Sequence, residues 1–131
     1  MQNGQKAEEL DGLRVHIDRV VYQHLDEPVD EHEHAFIYFI SISNLSERTV
    51  TLLGRKWVIE HADGGKLVIE GDKIVQQTPR LEPGESFSYN SYHIADQDAV
   101  AAGAFHGLDD DGAPVFVRIP RFEMNIPPSG V

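Results

Sequence analysis

The residues from His24 to His34 read His-Leu-Asp-Glu-Pro-Val-Asp-Glu-His-Glu-His, three histidines and five carboxylates in eleven positions. Imidazole and carboxylate suit Zn²⁺, Ni²⁺, Co²⁺ or Cu²⁺, and in an extended strand His32 and His34 project to one face, as two ligands of one ion must. Asp30 or Glu27 would complete the shell. A fixed site also needs a hydrogen-bond partner for the second nitrogen of each imidazole, which a loop supplies poorly. The same composition describes a charged, solvated loop between the first two strands. That loop is the favoured expectation; a divalent metal at His32, His34 and Asp30, or a docking surface for a basic partner, are its competitors.

Other chemistry is sparser. Asp109-Asp110-Asp111-Gly112 resembles half of a calcium loop but lacks the downstream bidentate Glu, and a hairpin turn explains the same letters. Ser88 or Ser91 could be assembled with His93 and Asp96 for acyl transfer, yet there is no G-x-S-x-G elbow. No catalytic residue is assigned. Paired carboxylates for glycoside hydrolysis need a deep cleft that the strand pattern does not offer. Tyr38, Trp57, Phe87, Tyr89, Phe116 and Phe122 could form a sugar-stacking platform, but their alternation places them mainly inward, in a core. Arg55, beside Trp57 by alternation, is expected to stack on the indole or pair with an acid. Asn44-Leu45-Ser46 matches a glycosylation triplet by chance in a chain without a visible secretory signal.

The chain that must position these residues has 131 of them, enough for one domain. Its formal charge of −11 repels phosphate backbones and anionic lipid, so neither nucleic acid nor membrane is an expected partner. The absence of cysteine removes disulfides, thiolate nucleophiles and Cys-based zinc sites. With a polar N-terminus and no apolar run of membrane length, a cytoplasmic location is expected. The expected organisation is a polar lead-in over 1–11, a domain over 12–127 and a tail over 128–131.

Apolar residues recur with period two at Leu13, Val15 and Ile17; at Phe36, Tyr38, Ile40 and Ile42; at Val50 and Leu52; and at Trp57 and Ile59. Further strands are expected at Lys66 to Glu70, Ser86 to His93, Ala102 to Leu108 and Pro114 to Ile126. Asp63-Gly64-Gly65, Glu82-Pro83-Gly84-Glu85 and Asp111-Gly112 are turn signals. Near Pro120 the inward parity shifts, which predicts a bulge. Ala95 to Ala102 tolerates no more than a turn of helix. Seven or so antiparallel strands at this spacing make an all-β sandwich or barrel.

Three stretches carry a resemblance. Thr49 to Ile59 followed by Asp63-Gly64-Gly65-Lys66, then Leu81-Glu82-Pro83-Gly84-Glu85 running on to Ser91, and Phe116-Val117-Arg118-Ile119-Pro120-Arg121-Phe122-Glu123-Met124 are similar to the ApaG domain. Gly103-Ala104-Phe105 with Asp111-Gly112 matches the hairpin before the closing strand, and the likeness runs from about Leu13 to Pro127. It implies an immunoglobulin- or fibronectin type III-like β-sandwich and a protein-interaction module rather than an enzyme. Bacterial stand-alone members carry a name linked to cobalt and magnesium efflux; eukaryotic relatives attach the domain to F-box or other partner-binding proteins. The family often has a G-x-G-x-x-G loop. The matching positions are Gly71, Lys73 and Gln76, so two glycines are missing where a backbone would approach a phosphate, and no helix follows to offer its dipole. The expectation is a non-catalytic binding module without a cofactor. Its partner would be a protein, plausibly basic, met by sheet edges or loops, and a symmetric homodimer would protect those edges. The alternatives are a divalent-metal-binding or metal-homeostasis protein and a carbohydrate-binding module.

Overall fold

The structure, a computed structural model, describes residues 6–128. These form nine strands and no helix: β1 (Glu8–Glu9), β2 (Leu13–Val29), β3 (His32–Asn44), β4 (Val50–His61), β5 (Lys66–Asp72), β6 (Arg80–Leu81), β7 (Ser86–Ala95), β8 (Ala99–Asp109) and β9 (Pro114–Met124). One sheet has the order β1-β9-β8-β4-β5 with β6 also on β4, and the other is β2-β3-β7. The all-β sandwich expected from the alternation is what the chain adopts. Successive side chains on a pleated strand point to opposite faces, so Phe36, Ile40 and Ile42 of β3 meet Leu52, Phe105, Val115 and Ile119 in one buried core. Each such side chain contributes roughly 1.5–3 kcal/mol by leaving water.

Two bulges keep that core continuous. In β9 an extra residue at Pro120-Arg121 moves the inward set from Val115, Val117 and Ile119 to Phe122 and Met124, as the parity predicted. In β4 the extra residue is Leu53, which joins Val50 and Leu52 to Trp57 and Ile59 in one strand where the sequence suggests two short pieces. After it, the odd positions 55, 57, 59 and 61 face the second sheet.

Three expectations change. Within the lead-in, residues 8–10 join the sandwich: Glu8 and Glu9 pair with Val115 and Phe116, in parallel rather than antiparallel sense, and Leu10 is buried; residues 1–5 lie outside the described residues. Ala95 to Ala102 holds no helical turn: Ala95 ends β7, Asp96 to Asp98 make the connecting bend and Ala99 to Ala102 already belong to β8. The segment His24 to His34 is not a loop. It is the outer arm of the β2–β3 hairpin, with His24 opposite His34 and a tip of only Asp30-Glu31. Both tip residues have positive φ, the twist that a two-residue hairpin requires. The usual glycine signal is absent, so neither propensity nor composition announces this turn. Pro28 is tolerated because β2 is an edge strand and the register slips between His24 and Val29.

Asn44 is the one polar residue fully buried among the described residues. Its Nδ2 donates to the carbonyls of Arg48 and Leu81, and its Oδ1 accepts from the N–H and hydroxyl of Ser46. The glycosylation triplet is therefore a structural knot with its Asn out of reach.

Candidate functional site

The hairpin arm places His24, His34 and His32 on the sheet face that turns toward the sandwich. The Tyr22 hydroxyl lies 2.7 Å from His34 Nδ1, and the His24 ring meets His34 edge-on. His32 approaches Asp96 at 3.8 Å. Asp30 is exposed at the tip and Glu27 is exposed beside it. The described residues contain no group of three or more His, Asp or Glu able to hold one metal ion. His32, His34 and Asp30 thus share an arm without forming such a group.

His93, on β7, faces inward opposite Phe36 and lies against His61 of β4, ring centres 6.0 Å apart. Burial pushes its imidazole below the usual histidine range, and the nearby His61 and His32 push in the same direction. Ser91 shares this inward face, while Ser88 points outward and hydrogen-bonds with Ser41. Asp96 is engaged with His32 rather than with His93. The strand pleat therefore separates Ser88 from His93, and no serine–histidine–acid alignment forms from these residues.

A cleft of ≈ 210 Å³ opens between the sheets where β4, β3 and β7 are bridged by the 72–77 turn, lined by Tyr38, Arg55, Trp57, Lys73, Tyr89 and Ser91. The Arg55 guanidinium donates to the carbonyl oxygens of Asp72 at 2.7 Å and Lys73 at 2.9 Å. It neither stacks on Trp57 nor pairs with an acid: it holds the turn. Burial raises the Tyr38 phenol, with the Ser91 hydroxyl and the Arg55 charge acting against it. Burial likewise pushes Tyr89 far above the usual phenol range, with Tyr38 adding and Arg55 opposing. In the turn, Lys73 and Gln76 keep positive φ, 71° and 63°, although neither is glycine. Ile74, fully buried, closes the turn through paired backbone bonds with Gln77. The backbone shape of a glycine-rich loop thus persists without its glycines. Trp57 and Tyr38 are buried, and Phe87, Tyr89 and Phe122 pack against the core with them; Phe116 alone of the six lies outside it, on the other face of β9 from Val115 and Val117.

One surface was not anticipated. β5 ends the larger sheet and pairs only with β4, through seven unbroken register pairs with no bulge. Leu67, Val68 and Ile69 are 41%, 49% and 36% exposed, and Tyr92 on the neighbouring β7 is 63% exposed. Ile69 and Tyr92 line the same shallow cleft. At the two ends of the β4–β5 ladder, His61 N–H donates to Gly65 and Lys73 N–H donates to Leu53. Antiparallel pairs alternate between bonded and non-bonded, so the odd residues of β5 bond to β4. The N–H and C=O groups of Lys66, Val68 and Glu70 consequently face the open edge. The available signal was the run Leu67-Val68-Ile69: three consecutive apolar residues in a strand have no single inward face.

A model of the ApaG domain matches residues 25–107. The chain belongs to the ApaG domain family. Protein ApaG of Vibrio cholerae is 37% identical over 93 residues, 70% of this chain and 74% of that one. Protein ApaG of Methylococcus capsulatus is 34% identical over 119 residues, 88% of this chain and 91% of its own. An X-ray structure of a structural genomics target superposes with a TM-score of 0.81 at 26% identity, covering 91% of this chain and 90% of that one. A crystal structure of a Bordetella pertussis protein, 21% identical, has the same fold, with a TM-score of 0.72 over 95% of this chain and all of the other. The segment matched to the ApaG domain takes in the hairpin arm from Leu25 onward, the Arg55 turn and the β5 edge.

Proposed function

We propose that this ApaG domain is a non-catalytic docking module whose ligand is another polypeptide, received at the β5 edge and the adjoining Tyr92. The observation that carries this reading is the edge itself. Natural sheets blunt their edges with charged side chains, proline, bulges or a covering segment; β5 carries charge only toward its ends, at Lys66, Glu70 and Asp72, and between them has an apolar centre, unbroken pairing and outward-facing backbone groups. An added strand would satisfy those groups while Leu67, Ile69 and Tyr92 supply side-chain contacts, the logic of β-augmentation.

The test is a photo-crosslinking side chain at position 92 in the native cell, compared with the same probe at the outward-facing position 43, at the other end of the β3–β7 ladder. Adducts to a polypeptide at 92 that disappear with Val68→Pro are expected. Proline at this position removes only an outward N–H and leaves the bonds to β4 intact. Adducts that survive V68P, or arise equally at 43, would overturn the assignment.

A further inference from the structure

Resting on the reading of β5 as a docking edge, we infer that the strand it accepts is β5 of a second copy of this chain, paired antiparallel about a two-fold axis through Val68. The sequence Lys66-Leu67-Val68-Ile69-Glu70 is self-complementary in that register. Lys66 faces the partner's Glu70, Leu67 faces the partner's Ile69, and the two Val68 residues face each other.

Three independent features agree on it. First, the backbone groups of Lys66, Val68 and Glu70 point to the open edge, and these are the residues that become hydrogen-bonded pairs in this register, giving about six inter-chain bonds. Secondly, the charges extend a ladder already present. Glu70 lies opposite Lys56 with their charged groups 3.7 Å apart, and Lys66 lies opposite Glu60. Across the joined sheets the rung runs Lys56, Glu70, partner's Lys66, partner's Glu60, alternating in sign throughout. Thirdly, the apolar rung beside it continues as Val58, Val68 and their two copies. Other registers lose this match. Sliding the partner by two residues sets Lys66 or Glu70 against Val68, and sliding it by four sets Lys66 against Lys66 or Glu70 against Glu70. Like charges directly opposite are unfavourable and opposite charges favourable, so one register is selected. A two-fold axis makes each contact count twice.

Sedimentation of the whole chain over a concentration series, at an ionic strength that screens the two like-charged bodies, gives the first readout. The mass is expected to rise from 14.7 kDa to about twice that. Amide exchange at Lys66, Val68 and Glu70 should slow as the dimer forms, while Leu67 and Ile69, bonded to β4, are protected at every concentration. K66E and E70K should each weaken the dimer by about tenfold, and an equimolar mixture of the two should restore it, because the mixed pair again sets opposite charges face to face. Circular dichroism and thermal melts confirm that each variant is folded. A chain that stays monomeric at all concentrations overturns the inference. So does a dimer whose Lys66, Val68 and Glu70 amides remain unprotected, or one indifferent to the K66E and E70K mixture. In any of these cases, crosslinks from position 92 to a different polypeptide would leave the docking reading standing; their absence as well would remove both.

Discussion

The two edges of the larger sheet are treated in opposite ways. At the β9 edge the chain covers itself: Glu8 and Glu9 add a short parallel strand, Leu10 buries behind it, and Arg118–Glu9 and Arg48–Glu8 ion pairs fasten it at 3.3 and 3.1 Å. At the β5 edge nothing among the described residues pairs with the outer side of the strand. The same sheet thus spends several residues on closing one edge and leaves the other apolar and open. Unpaired edges recruit further strands, so an edge left open in a chain able to cover its counterpart points to use rather than neglect.

The comparison breaks first if the cover is not truly part of the domain. Leu10→Ala is expected to destabilise the fold by about 2–4 kcal/mol, as a buried leucine does, whereas Val68→Ala should change monomer stability by less than about 0.5 kcal/mol. Chemical denaturation of both variants, at concentrations where the chain is monomeric, checks the contrast; equal losses would mean that β5 is already covered.

Next comes the turn that ends β5. Lys73 sits at a φ that favours glycine, and Lys73→Gly should be neutral or raise stability by up to about 1 kcal/mol, because relief of the strained backbone outweighs the gain in unfolded-chain freedom. A loss in the melting temperature of K73G would show that the lysine side chain, not the backbone shape, matters there.

Acid should act through His93, which lines one cleft with Ile69 of β5. The unfolded chain protonates His93 near pH 6.5, and the fold does so only at lower pH. Across that window the unfolded state binds more protons, so stability is full above about pH 6.5 and falls as the pH drops toward the folded value. Melting curves between pH 7.5 and 5.5 should show this decline, and His93→Gln should flatten it. The covered edge relies on arginine–glutamate pairs instead. Arg118→Ala is the smallest effect expected, below about 1 kcal/mol because the pair is exposed and screened, and a larger loss would show that the cover is held by charge more than by Leu10.

Much of the fold was legible in the sequence. Period-two alternation in Phe36 to Ile42 and Val115 to Ile119 names the inward faces, and the parity shift at Pro120 locates a bulge that the β8–β9 register confirms. Gly64, Gly84 and Gly112 take positive φ in the three turns their neighbours announce. The hairpin arm was not legible, because Asp30 and Glu31 adopt glycine-like angles with no glycine to announce them, and the pairing of Val29 with His32 that flanks the turn shows only in the fold. Leu53 was equally hidden, since a bulge shows itself only by what lies across it. At the candidate site, composition drew attention to His32, His34 and Asp30, while the open edge lay in an ordinary-looking strand. The histidines were visible as residue types; their failure to converge depends on the direction of a turn.

The sequence by itself determined an all-β chain with its core faces and main turns, because those follow from local alternation and from backbone preferences of single residues. It also carries, in Lys66 to Glu70, the self-complementary order on which the proposed pairing of β5 rests. Only the tertiary structure decided that β5 stands at an edge and that its even residues turn their backbone groups outward. It likewise decided that the N-terminal residues close the opposite side. Edge and interior strands can share one local sequence, and what separates them is the presence or absence of a neighbour brought from elsewhere in the chain.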